Sequence, residues 1–419
     1  MVHQNHKNVA GKLLNLPRVS RSPVRIDASA PRISRILEPR MNNLRAARPR
    51  FPACVLALTL ASCPAIAQES TKSHVEPSRD ISRERLIETL KSIPTSRAAL
   101  GDAASQAGLV QTEDLLIKAL TDAGVTPVTQ SFNWALPARH FGDAPGDTPP
   151  PDAAPPKDPP LHAWRNIIVD LPGTDLAHEV LLVSAHIDAV PGAPGADDDG
   201  TGAAAIVELA RRFAHTTHRR TIRLCLFNLE EVGLIGSTRY VLDWTQKHPS
   251  KPAPSTKDND SKSPDAKADS PAGERIIGMV SLEMLGYFSD APNSQKSPIP
   301  AIKGVFEPPT VGDAIVMVGL KRDDAFISKF SGSMAKAQPD LKVLTLDFFT
   351  FPMPDIMRSD HRDFVMAGIP GAMLTDTANF RNPHYHQPTD TIDTLDLDRY
   401  TKVVKAVAGA IDAMAEPAP

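Results

Sequence analysis

The chain has 419 residues, a formal net charge of −3 and 40 prolines. Residues 1–67 contain 11 basic and 2 acidic side chains, which leaves 35 basic against 47 acidic side chains in the remainder. That acidic balance argues against nucleic acid as a partner. After Ala67 no apolar run approaches the roughly 20 residues that span a bilayer, so we expect no transmembrane helix in the mature chain.

The basic front of the chain has the pattern of an export signal. Three arginines lie within 45–50, the apolar run 51–60 follows, and a small-x-small cleavage site ends at Ala67. We therefore predict an N-terminal extension and signal peptide over 1–67 and an exported protein, periplasmic or secreted. A short buried helix is the alternative interpretation. Residues 1–40 are an over-long gene start or an unusual n-region, and we assign them no fold.

The cysteines raise two further points. Leu60-Ala61-Ser62-Cys63 resembles a bacterial lipoprotein processing site, and cleavage before Cys63 would leave a lipid anchor and a membrane-tethered protein. Cleavage after Ala67 instead leaves Cys225 alone, so no internal disulfide can form. Because Cys225 lies in an apolar strand pattern, we expect a small core residue rather than a nucleophile.

The first predicted elements after the signal are two helices and one strand. Apolar residues at helical spacing predict a helix over 80–93, which Pro94 ends. A second helix is predicted around 113–123 and a strand over 125–132. Pro127 places this strand at the edge of a sheet, because proline has no N–H to donate to a ladder.

Two polar segments, about 137–160 and about 248–274, interrupt the rest of the chain. The first segment is rich in Pro and Asp, and the second in Lys, Asp, Ser and Pro. Both contain too little apolar surface to offset the entropy that is lost when a segment becomes ordered. We predict both as mobile inserts in a single domain that spans 68–416.

Between and after these inserts, short apolar runs alternate with helical patterns. This alternation predicts an α/β fold with a mostly parallel, mixed central sheet and helices on both faces. Ligands of such sheets bind beyond the carboxyl ends of the strands. Strands are predicted over 165–171, 179–185, 221–229, 278–282, 314–318, 341–347 and 372–375, and helices over 202–213, 236–244, 323–337, 360–367 and 399–414.

Two polar motifs follow the predicted strand 179–185. His186 is a possible metal ligand, and Asp188 can fix the tautomer of its imidazole, although such a pair alone is more often an ordinary polar loop. Three consecutive aspartates, 197–199, come next and repel one another unless a cation or solvent screens them. A single carboxylate has two oxygens and can bridge two cations. The alternative is a helix N-terminus with acidic caps.

A pair of glutamates, Glu230 and Glu231, ends the predicted strand 221–229. Adjacent carboxylates point in different directions, so one can bind a metal while the other faces a water molecule. Metal-assisted hydrolysis needs this division, because the cation lowers the pKa of the water and the free carboxylate takes its proton. A solvated acidic turn is the alternative. Glu283 ends a later strand, and His386 lies in a polar loop between two prolines.

Together these ordered motifs resemble a known family. They are similar to those of the co-catalytic zinc peptidases that include secreted bacterial leucyl aminopeptidases and glutamate carboxypeptidases, with the monozinc glutaminyl cyclases as relatives. The resemblance covers about 163–414. Its motifs are His-x-Asp at 186–188, Gly-Ala-Asp-Asp at 195–198, Glu-Glu-x-Gly-Leu-x-Gly-Ser at 230–237, an acid before hydrophobic-Gly at 283–286, and Tyr-His-x-Pro-x-Asp-Thr at 385–391.

The resemblance implies a zinc-exopeptidase type of fold and two zinc ions per chain, with cobalt or manganese as substitutes. His186, Asp197 and Glu283 would hold one zinc. The other would be held by Asp197, Glu231 and His386, so that Asp197 bridges the two ions. Glu283 stands where many members have Asp, which puts the geometry of its site in question.

The resemblance also implies roles for residues that do not bind metal. Glu230 would be the general base, Asp188 would orient the neighbouring imidazole, and Asp198 would support Asp197 through a strained peptide bond.

Three further residues are candidates for contact with the substrate or with a metal ligand. Asp360 and His361 lie in a segment similar to one that lines the pocket of relatives, and Tyr385 precedes a candidate ligand. The alternative for the first two is a helix start with Ser359 as its N-cap.

The function implied is a zinc-dependent exopeptidase, and we expect an aminopeptidase that acts on peptides with a free N-terminus. A carboxypeptidase or dipeptidase, a glutaminyl cyclase-like transferase and an inactive binding homologue are the alternatives. Candidates for all five metal ligands favour two metals and hydrolysis, and Glu230 beside Glu231 argues against an inactive protein. The side-chain preference for substrate stays open.

Overall fold

The computed structural model describes residues 81–135, 161–249, 273–304 and 306–418, all of which belong to one compact unit. The predicted signal peptide, Cys63 and both cleavage sites lie outside these residues, as does most of the two predicted inserts. No helix in the described ranges is long and apolar enough to cross a membrane.

One sheet of eight strands forms the centre of the described structure. The strands are β1 (Val128–Ala135), β2 (Leu161–Leu171), β3 (Leu176–His186), β4 (Arg220–Phe227), β5 (Arg275–Glu283), β6 (Ala314–Leu320), β7 (Lys342–Phe349) and β8 (Gly371–Thr375). The α-helices are α1 (Arg83–Ser92), α2 (Ala103–Asp122), α3 (Gly202–Phe213), α4 (Ile235–Lys247), α5 (Asp324–Ala337), α6 (His361–Met366) and α7 (Leu397–Ala415).

The strands lie in the order β1-β2-β4-β3-β5-β8-β6-β7. The pairs β4/β3, β3/β5, β5/β8 and β6/β7 are parallel, and β1/β2, β2/β4 and β8/β6 are antiparallel. The predicted α/β fold with a mostly parallel, mixed sheet is therefore confirmed. The first strand lies at an edge, directly after Pro127, as that proline indicated.

Helices cover both faces of the sheet, as predicted. On one face α1, α2, α3, α5 and α7 share a large apolar core with the strands. Every residue of α3 except Arg211 is buried, because this helix lies between the sheet and its neighbouring helices. On the opposite face α4 and α6 pack through a cluster of Phe227, Tyr240 and Phe364.

The second helix, α2, begins ten residues before its predicted start at 113. Asp102 caps it, since its Oδ1 accepts a hydrogen bond from Ser105 N at 2.8 Å. The first turns contain small residues without apolar periodicity, and Gly108 looks like a breaker in the sequence. In the structure this glycine allows close contact with Ser96. A Cβ at position 108 would lie 1.9 Å from the Ser96 carbonyl oxygen, so no side chain fits there.

The start of α4 is pressed against the end of β4. A Cβ at Gly236 would lie 2.3 Å from the Asn228 carbonyl oxygen and 2.4 Å from Asn166 Oδ1. Asn166 joins both elements, because its Nδ2 donates to the Gly236 carbonyl at 2.8 Å and its Oδ1 accepts from Asn228 N at 3.0 Å. This contact fixes the turn that contains the two predicted glutamates.

We predict that Gly236→Ala lowers the free energy of unfolding by about 1–3 kcal/mol, because the new methyl group must displace buried backbone. Gly332 in α5 is the matched control, since a Cβ there would meet nothing within 4 Å apart from its chain neighbours and the nearby backbone of its own helix. Gly332→Ala should raise the stability by about 0.5–1 kcal/mol. Urea denaturation measures both values, and equal effects of the two changes would contradict the close packing at α4.

Candidate metal centre

The carboxyl ends of β3 and β5 bring a histidine and a glutamate next to one of the three aspartates. His186 is the last residue of β3, and its Nε2 lies 3.0 Å from Asp198 Oδ1. The same nitrogen lies 3.7 Å from Oε1 of Glu283, the last residue of β5. These three side chains therefore form a largely buried cluster of one nitrogen donor and two carboxylates.

A second cluster lies on the other side of the same aspartate. His386 Nε2 lies 3.1 Å from Asp198 Oδ2 and 3.2 Å from Glu231 Oε2. The two oxygens of Asp198 thus face two different imidazoles, His186 and His386. A carboxylate in this position can bridge two cations.

The donor atoms fit a metal ion better than they fit one another. Glu231 Oε1 and Glu283 Oε2 are buried without a hydrogen-bond partner among the described residues, and His386 Nε2 lies near two carboxylates without the geometry of a hydrogen bond. One ligand atom each from His186, Asp198 and Glu231 lies within 4.8 Å of the other two. Buried polar atoms without partners are costly, and nitrogen and oxygen donors without a thiolate suit zinc.

Crowding of carboxylates adds to this fit. Burial, together with the charge of Asp198, raises the pKa of Glu231 to about 7. Burial also raises the pKa of Glu230 well above its usual value, and the charges of Glu283 and Glu231 act in the same direction. A divalent cation relieves such repulsion and favours the ionised carboxylates.

Asp198 lies between the two imidazoles, in the place where we expected Asp197 from the sequence. Asp197 Oδ1 accepts a hydrogen bond from Gly286 N, and its Oδ2 accepts one from Asn382 Nδ2, both at 2.8 Å. Both oxygens of Asp197 are therefore engaged away from the two imidazoles. Asp197 thus supports the segment through hydrogen bonds while Asp198 faces the imidazoles, which is the reverse of the placement that we expected from the sequence.

The motif contains one Asp-Asp pair, whereas three consecutive aspartates contain two such pairs. The sequence alone therefore does not show which aspartate faces the imidazoles. The structure selects the second pair, and the peptide bond between Asp198 and Asp199 is cis. Asp390 holds the segment in place, because its Oδ1 accepts from Asp197 N at 3.0 Å and its Oδ2 from Asp198 N at 3.2 Å. Asp390 belongs to the last motif, but we assigned it no role from the sequence.

Asp188 lies next to His186 and also contacts the glutamate turn. His186 Nδ1 lies 3.1 Å from the Asp188 carbonyl oxygen and 3.5 Å from its Oδ1. The carboxylate accepts hydrogen bonds from the backbone N–H groups of Glu230 at 2.9 Å and Glu231 at 3.1 Å. Asp188 thereby ties the glutamate turn to the end of β3.

The third aspartate, Asp199, joins three elements at the site. Its Oδ2 accepts from His186 N at 3.1 Å, and its Oδ1 accepts from Gly202 N at 3.0 Å and Met284 N at 3.2 Å. The ends of β3 and β5 and the start of α3 are thus held together by one buried carboxylate. No local pattern in the sequence indicated a distinct role for this residue.

A buried arginine behind the aspartates is a further residue that sequence reasoning missed. The guanidinium of Arg97 donates to the carbonyls of Ile187 at 2.9 Å and Gly195 at 2.6 Å. Burial lowers the pKa of Arg97, and the nearby charge of Asp390 opposes that shift. The residues next to Arg97 are mostly small, and they contain no pattern that predicts a buried arginine.

Left-handed backbone conformations occur at each glutamate turn and at the second histidine. Leu229 has φ 61° beside Glu230, Met284 has φ 55° beside Glu283, and His386 itself has φ 58°. Such conformations cost on the order of 1 kcal/mol or more for residues other than glycine and persist where the surroundings fix them. Leu229 and Met284 are fully buried, so core packing holds the two glutamates in place.

Asp360 and His361 lie beneath the site and are both completely buried. Burial raises the pKa of Asp360 to about 7 and lowers that of His361 to about 4, so the imidazole is neutral. A cavity lies beside the candidate metal ligands, and neither Asp360 nor His361 lines it. Ser359 does not cap α6, because its hydroxyl shares a hydrogen bond with the Ser281 hydroxyl at 2.8 Å.

Tyr385 does lie on the wall of that cavity, which has a volume of about 700 Å³. Its ring stacks on the imidazole of His386 with 3.7 Å between the ring centroids. Its hydroxyl accepts a hydrogen bond from Arg358 at 2.7 Å. Asp198, Glu230, Glu231 and Glu283 also line this cavity, so the two candidate clusters of metal ligands open directly into it.

Comparison with known proteins agrees with the geometry. The sequence profile of Peptidase family M28 matches residues 166–411. The protein YfbL of Escherichia coli strain K12 is 29% identical over 253 residues, which are 58% of this chain and 69% of that protein. Leucine aminopeptidase 1 of Arthroderma otae is 25% identical over 270 residues, 60% of this chain, and the match spans only 58% of that relative.

The fold is also that of a solved aminopeptidase. The structure of the aminopeptidase from Aneurinibacillus sp. strain AM-1 superposes with a TM-score of 0.54 at 15% identity, covering 82% of this chain and 96% of that one. Fold, site and family profile together define the class of the protein as a metallopeptidase. The chain belongs to Peptidase family M28, which confirms the resemblance inferred from the motifs.

Exchange of each aspartate for asparagine tests which of them faces the metals. Asp198→Asn should lower the affinity for zinc by more than about 100-fold, because loss of a mere supporting residue already costs 10–100-fold. Asp197→Asn should lower the affinity less, by about 10- to 100-fold, and the stability by about 1–3 kcal/mol, because its amide cannot accept at both atoms. Titration with zinc in a competing chelator measures the affinities. The opposite order would contradict the geometry of Asp198.

Proposed function

We propose that this protein is a zinc-dependent aminopeptidase that uses two metal ions. The observation that carries the proposal is the position of Asp198, whose two oxygens face two separate imidazoles beside Glu230. A single-metal enzyme has no need for such a bridge. The names of the relatives and of the aminopeptidase structure support the choice of an aminopeptidase.

In this proposal each metal has three protein ligands, one of which is shared. His186, Glu283 and Asp198 hold the first ion, and His386, Glu231 and Asp198 hold the second. Bound zinc supplies Lewis acidity that polarises the scissile carbonyl and lowers the pKa of water. Cobalt and manganese accept the same nitrogen and oxygen donors and are the expected substitutes.

Glu230 is the proposed general base. It lies on the cavity wall next to Glu231, and the bond from its backbone N–H to Asp188 fixes its position. Its carboxylate takes a proton from the attacking water and then gives it to the leaving amine, so the proton is conserved over the cycle. The raised pKa of Glu230, caused first by burial, suits both transfers.

Two complete clusters favour hydrolysis over glutaminyl cyclisation, which needs one zinc. The retained base favours an active enzyme over an inactive homologue. We further propose that residues 1–67 direct export and that the mature enzyme is periplasmic or secreted, or is anchored by a lipid on Cys63. Mass spectrometry of the mature N-terminus separates Gln68 from a lipidated cysteine.

Exchange of the two neighbouring glutamates tests this division of roles. Glu230→Gln should keep both zinc ions but lower kcat on aminoacyl chromogenic amides by about 100-fold or more, because proton transfer is lost. Glu231→Gln is the matched control and should lose metal as well as activity. Metal analysis and steady-state kinetics on the purified variants give both quantities.

Two results would overturn the proposal. Glu230→Gln protein that is fully metallated and as active as the wild type would remove the general base. Metal-replete wild type that is inert on every free-amine substrate, yet cleaves peptides with a free C-terminus, would show a carboxypeptidase.

A further inference from the structure

A row of four side chains leads from the metal centre to the edge of the sheet. Glu283 on β5 pairs with Thr375 on β8, Thr375 pairs with Val316 on β6, and Val316 pairs with Leu344 on β7. Directly paired residues point to the same face of a sheet. All four line the cavity that contains the candidate metal ligands.

A second row runs beside the first and is apolar. Met373, Val318 and Leu346 are paired across β8, β6 and β7, and all three line the same cavity. The wall also includes Phe306, whose ring packs on Phe348 with 5.4 Å between centroids. The part of the cavity along these three strands is therefore a mainly apolar trough that begins at the candidate metal ligands, although charged residues such as Lys342 also line the cavity.

The length of this trough exceeds what one residue can fill. Neighbouring strands lie about 4.8 Å apart, so three spacings place Leu344 about 14 Å from Glu283. An extended peptide spans about 3.5 Å per residue, and about four residues cover that distance. An aminopeptidase holds only one residue on the amino side of the scissile bond, so the rest of the trough must contact the leaving peptide.

We infer that the β6–β7 end of the trough is a binding subsite for an apolar side chain in the leaving part of an oligopeptide substrate, about three residues beyond the scissile bond. The inference rests on the proposed aminopeptidase activity. Leu344 and Leu346 are half-buried in the structure, so a bound apolar side chain removes further apolar surface from water. Substrates of about four residues or more are thus preferred over dipeptides.

The length preference can be measured with peptides that share the same N-terminal residue. The series consists of Leu-Ala, Leu-Ala-Ala, Leu-Ala-Ala-Leu and Leu-Ala-Ala-Asp. The kcat/KM for Leu-Ala-Ala-Leu should be about tenfold higher than that for Leu-Ala-Ala-Asp, because burial of a leucine side chain contributes binding free energy on that scale. Mass spectrometry of the products should show free leucine as the first product of each.

The subsite is tested separately with Leu344→Thr, which keeps a residue that suits a strand but shortens the apolar surface. The ratio of kcat/KM for Leu-Ala-Ala-Leu to that for leucine p-nitroanilide should fall about tenfold, since the anilide does not extend to β7. Leu242→Thr, at an exposed site on α4, is the matched control and should leave this ratio unchanged. Thermal melting of both variants verifies that they are folded.

The outcomes separate the inference from the proposed function. If leucine p-nitroanilide is cleaved but kcat/KM is flat over the peptide series, or Leu344→Thr leaves the ratio unchanged, the subsite is wrong and the aminopeptidase stands. First products of two or three residues would place the trough on the amino side of the bond and overturn the inference. No cleavage of any free-amine substrate would overturn the proposed function itself.

Discussion

The site depends on the orientation of one carboxylate, that of Asp198. Its two oxygens can face His186 and His386 only if the backbone of the aspartate segment is fixed on both sides. Asp390 holds that backbone through two N–H groups, and Arg97 holds the carbonyl of Gly195 just before it. The position of Asp198 therefore depends on hydrogen bonds from buried charged residues to the backbone of its segment.

The sheet supplies the second constraint, because it brings the ends of β3, β4 and β5 to one place. Buried carboxylates then join these ends: Asp188 holds the glutamate turn after β4, and Asp199 holds the ends of β3 and β5. The same strand pairing extends from Glu283 to the edge strand β7 and creates the trough beside the metals. The proposed catalytic geometry and the inferred substrate path thus have a common origin in the register of the sheet.

Much of this arrangement could be predicted from local sequence. The alternation of apolar runs and helical patterns predicted the α/β sheet, and strand ends pointed to His186, Glu230 and Glu283. Asp198 could not be distinguished from Asp197, because both follow the same strand and only the long-range hydrogen bonds of the Asp197 carboxylate to Gly286 and Asn382 separate them. Arg97 and the early start of α2 also depend on distant contacts that leave no periodic signal in the chain.

Whether Asp198 bridges two metal ions can be decided by diffraction at the zinc absorption edge. The crystals would be grown with zinc from the full mature enzyme. We expect two anomalous peaks, one beside His186 and Glu283 and one beside His386 and Glu231, with one oxygen of Asp198 on each. A single peak, or two peaks joined by Asp197, would contradict the bridging role of Asp198.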